Sequence, residues 1–347
     1  LAGLDTTGFD GENHGRFHHP HVSHGVHDRW TQFLEQRGVS VTAELGVKRA
    51  VAPTLDTDIA ATRCVDLNHF TAITLIGPDA RSFLQGYLTC DLDTLTEAHA
   101  LWGAYCNIKG RVVADAIVVL TDGHPTLLLH ASLLEAVVAS LKKYLAFSRS
   151  RFAPVDAAPI VLGVVNPTSA SVPIQPLAVA PSGTGVAVGM PGAVPRAVLV
   201  LPHDEAVGVW SDYEIHKQTG DAAGWDLIDV RAGIAHVNAQ TSETFLPQML
   251  DYDRHNAVSF TKGCYLGQEI VARTQHLGRP KRHLHHLTWN GMAAPASGAA
   301  LLRPDQTRAG TLVGVATVAT GEGEALAVLN DDVSGLLRTP GVTYTVA

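Results

Sequence analysis

Lys262-Gly263-Cys264-Tyr265-Leu266-Gly267-Gln268-Glu269 places a thiol, an amide, a carboxylate and a cation within eight residues, and Arg273 follows as a second cation. The thiolate is the reactive form of cysteine, and a neighbouring lysine favours it. Lys262, two residues from Cys264, is the candidate for that role. The glycines flanking the Cys-Tyr-Leu step permit positive φ and the close approach of a ligand or another strand. Residues 269–272 suit either a helix or a strand, so the expectation is a glycine turn that presents Cys264 at the edge of an ordered element.

The chain behind this motif has 347 residues, 46% hydrophobic and 17% charged. That is enough for two or three domains, with the balance of a well-buried globular protein. A net charge of -8 argues against a general nucleic-acid binder, leaving room for a local basic patch; no stable nucleic-acid binding is expected. No apolar run reaches the length of a membrane span, and the first residues lack the basic, apolar and small-residue order of a signal peptide. A cytoplasmic chain with no membrane partner is therefore expected. Cys64, Cys90, Cys106 and Cys264 lie far apart without a C-x-x-C pair, which suits reduced thiols.

Residues 1–53 read as a His-rich extension, with His14, His18, His19, His21, His24 and His27 among Gly, Asn and Pro. Such a tract binds divalent metals weakly and packs poorly, so a flexible leader is expected, carrying a short helix over residues 28–37 with Trp30, Phe33 and Leu34 on one face. The ordered fold is expected from Thr54. Residues 71–76 read as a strand, and Gly77-Pro78-Asp79 as the turn and N-cap of a short helix that stops at Gly86. Two apolar runs, 112–120 and 126–130, flank a Gly-containing turn and predict a hairpin. Ser132 and Glu135 have the spacing of a capping box for a helix ending at Lys142-Lys143. After a loop-rich stretch, residues 196–201 predict a strand and 204–217 and 225–235 helices. Residues 238–259 show little periodicity and are expected to wrap a surface. Beyond residue 280, five short apolar runs separated by turns predict a small antiparallel barrel or sandwich. Strand, helix, hairpin, helix is an α+β order and not that of a doubly wound sheet.

The motif resembles the signature of the YgfZ family, bacterial folate-binding relatives of a mitochondrial iron–sulfur assembly factor. The resemblance continues in Phe83-Leu84-Gln85-Gly86, Thr89-Cys90-Asp91-Leu92, Cys106-Asn107-Ile108-Lys109-Gly110-Arg111 and the basic stretch from Arg273 to Arg282. It implies the fold of the glycine cleavage system aminomethyltransferase: two interleaved α+β domains around a central channel over residues 54–280, and a C-terminal antiparallel β-barrel over 281–347. It also implies tetrahydrofolate as ligand, and assembly or repair of iron–sulfur clusters in client enzymes, including a radical enzyme that methylthiolates tRNA. The rival is a folate-dependent one-carbon transferase. That enzyme carries adjacent acids in the stretch matching 110–115, the first of them catalytic, whereas this chain has Ala114 and keeps only Asp115. Alanine cannot relay a proton, so a contribution of about two to four orders of magnitude is missing, and an accessory protein is expected over an enzyme.

Under this resemblance Cys264 is the working thiol. Lys262 and Arg273 are candidates for the folate glutamate tail, Tyr265 for stacking on the pterin, and Gln268 and Glu269 for either ligand contact or the backbone of the glycine turn. Folate relatives often place an acid where Arg231 stands here, and arginine has no acceptor, so either Asp229 or another carboxylate pairs with the pterin, or the pterin binds differently. No resident metal is expected, because one thiol does not supply the four ligands of a cluster.

Overall fold

The computed structural model describes residues 25–44, 47–51, 59–154, 158–276, 278 and 280–346. Of the histidine tract, His14, His18, His19, His21 and His24 lie outside the described residues, as does Arg279 of the basic stretch. The chain opens with α1 (Gly25–Glu35) and the hairpin β1 (Ser40–Glu44) and β2 (Val47–Val51). Ordered packing thus begins ahead of Thr54: Trp30 and Leu34 are fully buried, and Trp30 Nε1 donates to Asp66 at 2.9 Å. The apolar face of this short helix is answered by Trp210, whose ring meets Trp30 edge-on at 5.9 Å.

The next strands divide between two sheets. β3 (Arg63–Asp66) joins one sheet, and β4 (Phe70–Ile76), after α2 (Ala80–Gln85) followed by β5 (Leu101–Cys106), β6 (Val112–Thr121) and β7 (His124–His130), builds the other. α3 (Leu134–Leu145) covers the second sheet, and β8 (Arg151–Phe152) completes its order β5-β6-β7-β4-β8. The chain then returns through β9 (Ile160–Val165), β10 (Val179–Ser182), β11 (Gly185–Gly189) and β12 (Arg196–Leu201). With α4 (His203–Ile215), β13 (Thr219–Gly220) and α5 (Ala223–Ala232), these complete a six-stranded sheet of order β10-β11-β12-β9-β3-β13. Only β13 and β3 pair in parallel there. This is the expected interleaved α+β architecture.

Two local expectations give way to long-range partners. Asp79 does not cap α2; its carboxylate takes the Arg149 guanidinium at 2.8 and 3.0 Å. Ser132 forms no capping box, because α3 starts at Leu134 and the Ser132 hydroxyl accepts from the Ala239 amide at 3.0 Å. In each case the side chain has found a partner whose arrival the local sequence does not announce.

Residues 238–259 depart further from expectation. They hold one 3-10 turn, Pro247–Leu250, yet Phe245, Leu250, Tyr252 and Ala257 are fully buried. The segment is core and not a surface wrap. Its backbone is satisfied by β6, through Val112 to Phe245 and Glu243 to Val112, and Tyr252 donates its hydroxyl to the Ala235 carbonyl at 2.7 Å. An irregular chain is stable inside a protein only when its polar groups find such partners.

α6 (Gln268–His276) leads to the barrel, formed by β14 (Arg282–Gly291), β15 (Ala300–Leu302), β16 (Arg308–Ala319), β17 (Glu322–Asn330), β18 (Leu336–Thr339) and β19 (Val342–Val346). It closes in the order β14-β17-β16-β15-β18-β19, with β19 paired back to β14. β18 is the strand absent from the sequence reading; with Leu337 alone of its four residues buried, it has almost no apolar alternation. Closure removes the exposed edges that such short strands would otherwise present. The outer face of the barrel is apolar at Val313, Ala316, Leu326 and Val328 and shares a core with Leu227 and Val230 of α5. Among the described residues no helix is long and apolar enough to cross a membrane.

Candidate functional site

The sequence pieces that carry the resemblance converge on the loop of Cys264. Lys262 is buried, and its ammonium donates to the carbonyls of Gln85, Leu88 and Cys90 at 2.7, 2.8 and 2.7 Å. These carbonyls belong to the chain leaving α2, where no helix satisfies them, and a charged donor compensates all three. Burial holds the Lys262 pKa below its ordinary value, against the opposing pull of nearby acidic groups. Around the same turn, Thr89 donates to the Ala257 carbonyl at 2.6 Å and accepts from the Ala104 amide at 2.8 Å. Gln85 bridges Asp91 and the Leu92 amide, each at 2.7 Å. Leu266 is tied to Gly86 through its amide at 3.1 Å.

The two glycines of the motif are not equivalent. Gly267 has φ +83, and a side chain there would strike the Asn107 carbonyl and the backbone of Gly110; this is where the 106–111 turn and the cysteine loop touch. Gly263 has open space around it and no positive φ. The result is an anchored loop from which Cys264 projects into solvent, while Cys64, Cys90 and Cys106 are buried. Burial pushes the thiols of Cys90 and Cys106 up to about 12, and that of Cys64 higher still. Cys264 is thus the accessible thiol among the described residues.

The other predicted residues divide between distinct places. Tyr265 is buried, and its ring lies 5.4 Å from the Lys262 ammonium. Gln268 opens α6 with its amide on the Tyr265 carbonyl at 3.1 Å. Glu269 and Arg273, one turn apart on that helix, pair with each other at 3.1 Å and are both solvent-exposed. Arg231 is far in sequence from all of these and binds Glu324 of β17 at 2.6 Å, which is also 2.7 Å from His286. It links α5 to the barrel. Asp229 is buried and paired with the fully buried Arg196.

Asp229 belongs to a second cluster, between the two sheets. Asp115 Oδ2 lies 2.7 Å from His236 Nδ1 and accepts from Trp102 Nε1 at 3.2 Å; Oδ1 accepts from the Val237 amide at 2.7 Å. The far nitrogen of His236 is 3.9 Å from Asp229, so a chain of alternating charge runs Asp115, His236, Asp229, Arg196. Burial opposes the charge on His236, but the Asp115 carboxylate, its hydrogen bond and Asp229 more than offset this and raise its pKa. Phe70, Met190 and Trp225 close the space beside His236 to a cavity of about 10 Å³, room for roughly one water.

Strand geometry decides what Asp115 can do for the missing acid. Successive residues of a strand face opposite sides. On β6, Ala114, Ala116 and Val118 belong to the core shared with α2 and α3, whereas Ile117 and Val119 belong to the core between the sheets. Asp115 shares the second face with His236, so it does not stand in for an acid at position 114. Sequence reading missed His236, Arg196, Trp102 and Trp225; each is isolated in the chain, with no spacing that pairs it to Asp115.

Residues 27–179 match the family described as GCVT N-terminal domain. A tRNA-modifying protein YgfZ from Yersinia pseudotuberculosis is 29% identical over 281 residues, covering 78% of this chain and 85% of its own. One of the same name from Colwellia psychrerythraea is 31% identical over 230 residues, covering 64% of this chain and 70% of its own. Among solved structures, the glycine cleavage system aminomethyltransferase T from Bartonella henselae superposes with a TM-score of 0.73 over 91% of this chain and 95% of that one, at 17% identity. That likeness is one of fold alone: an aminomethyltransferase-like scaffold. With the anchored cysteine loop and these relatives together, the chain belongs to the YgfZ family.

Proposed function

We propose that this protein is a cytoplasmic, folate-binding accessory factor for the assembly or repair of iron–sulfur clusters in client enzymes, among them a radical enzyme of tRNA methylthiolation. The observation that carries the reading is the exposed Cys264 on an anchored loop of a scaffold whose position 114 bears no acid. A rigid loop with one accessible thiol can offer a metal or cluster species a single transient ligand. A single thiolate does not complete the four-ligand set of a cluster, so its role is transient ligation with the client supplying the other ligands. The name tRNA-modifying protein carried by the relatives fits an indirect effect through such a client.

Folate is the proposed ligand, and the space between the sheets is one candidate for its site. The lining has the residue types of a heterocycle site: the aromatic side chains of Phe70 and Trp225, the Asp115–His236 pair, and a buried Trp225 Nε1 without a hydrogen-bond partner. The space does not fit, since a cavity of about 10 Å³ excludes a pterin in this conformation, and no chemical step is derived through folate. Titration of tetrahydrofolate while following tryptophan fluorescence, with amine substrates present and formaldehyde release monitored, tests the proposal. Saturable binding without turnover is expected. Turnover would replace the accessory reading with a one-carbon transferase, and absence of binding would remove folate. Independently, Cys264→Ser is expected to abolish support of client cluster enzymes while leaving the thermal midpoint unchanged; full support by that variant would refute the assigned role.

A further inference from the structure

Where the barrel meets the 107–111 turn, the surface opens into a cleft of about 790 Å³, within the size range of small-molecule sites. Three guanidinium groups from distant parts of the chain line it: Arg111 after that turn, Arg282 at the start of β14 and Arg308 at the start of β16. Arg111 donates to the Thr244 carbonyl, and Arg308 to Thr311 Oγ1 at 2.8 Å. Arg282 Nε is buried without a hydrogen-bond partner. Among the described residues, none of the three is paired with a carboxylate, although Glu243 also lines the cleft. All three line the same cleft, and burial, then the charges of Arg308 and Arg111, pull the Arg282 pKa down.

Such a wall is unusual in a chain of net charge -8. A guanidinium carries donors only, so what completes it must be an acceptor. A carboxylate brings one charge and two oxygens. A phosphate monoester brings between one and two charges at neutral pH and three strong acceptor oxygens, a closer match to three guanidinium groups lining one cleft. Ile108, 74% exposed in the same lining, supplies an apolar surface for the remainder of a ligand. We propose that this cleft is a phosphate-binding site for a nucleotide-sized ligand, with Arg111, Arg282 and Arg308 holding the phosphate. The phosphate belongs either to a free nucleotide or to the terminal monoester of an RNA strand. The cleft uses none of the side chains assigned to folate or to the thiol, so it stands apart from the function proposed above.

Isothermal titration of the full chain with inorganic pyrophosphate, ADP and a short 5′-phosphorylated single-stranded RNA, at low and at high salt, tests the site. Arg282→Gln and Arg308→Gln are each expected to weaken binding about tenfold or more, Arg282→Lys is expected to retain part of it, and added salt is expected to weaken it in the parent chain. The thermal midpoint of Arg282→Gln is expected not to fall, because the buried Nε has no partner to lose. Binding of ADP or pyrophosphate assigns the site to a free nucleotide, and binding of RNA alone assigns it to a strand, provided the same variants weaken it. The proposal is overturned if no probe binds at millimolar concentration, if the variants bind as the parent does, or if Arg282→Gln lowers the midpoint and so reveals a structural guanidinium.

Discussion

His236 Nδ1 and Asp115 Oδ2 stand 2.7 Å apart in the core between the two sheets. The charged form of His236 is favoured there by Asp115 and Asp229 in spite of burial, so its folded-state pKa lies above the ordinary 6.5. Its contribution to stability is complete below pH 6.5 and is lost as pH rises through the raised value. Asp115 behaves in the opposite sense. Burial pushes its pKa up, but His236, the Val237 amide and Trp102 bring it net below 3.8, so its contribution is present above that pH and is lost as pH falls through the lowered value. Thermal melting is therefore expected to show a plateau between these limits and an alkaline decline starting above pH 6.5. His236→Gln should flatten the alkaline decline; an unchanged decline in that variant would show that another group is responsible.

Replacing Lys262 by Met removes the donor shared by three buried carbonyls. Each unsatisfied group costs about 1–3 kcal/mol, and partial relaxation toward water makes a total of roughly 3 kcal/mol reasonable. Urea unfolding is expected to show that loss. A variant as stable as the parent would mean that the carbonyls find other donors.

The four cysteines should separate cleanly by reactivity. Iodoacetamide at mildly alkaline pH is expected to modify one site in the native protein and four after denaturation, because Cys64, Cys90 and Cys106 are buried with raised pKa values and Cys264 is exposed. Mass spectrometry of the native product should place the label on Cys264, and Cys264→Ser should abolish it.

Gly267→Ala combines a strained φ of +83 with a clash against the Asn107 carbonyl. The expected loss is about 1–3 kcal/mol, with faster amide exchange across residues 262–268. Gly263→Ala, by contrast, meets open space and should change stability by no more than about 0.5 kcal/mol. Equal effects at the two positions would contradict the assignment of Gly267 as the contact point.

Asp229→Ala leaves the fully buried Arg196 without its carboxylate. Breaking a buried pair from one side costs about 3–5 kcal/mol, measurable as a large fall in thermal midpoint. Substituting both residues by apolar side chains should restore much of it, which distinguishes an ion pair kept for packing from one whose charge the fold requires.

The amino-acid sequence alone determined the α+β class, most strands and helices, and Cys264 as the residue to watch, because hydrophobic periodicity, glycine turns and a compact signature are local properties of the chain. Tertiary structure decided what the neighbouring residues touch. Lys262, beside Cys264 in sequence, gives its ammonium to three carbonyls from residues 85–90. Asp229 and Arg231, two positions apart on α5, face a buried arginine and a barrel glutamate respectively, since residues two apart on a helix do not share a face. The Asp115–His236 pair joins residues 121 positions apart. The arginine cleft joins residues near 111, 282 and 308. Separations of that kind leave no periodic trace, because a side chain's partner across the core is chosen by how the sheets, the irregular 238–259 segment and the barrel pack together.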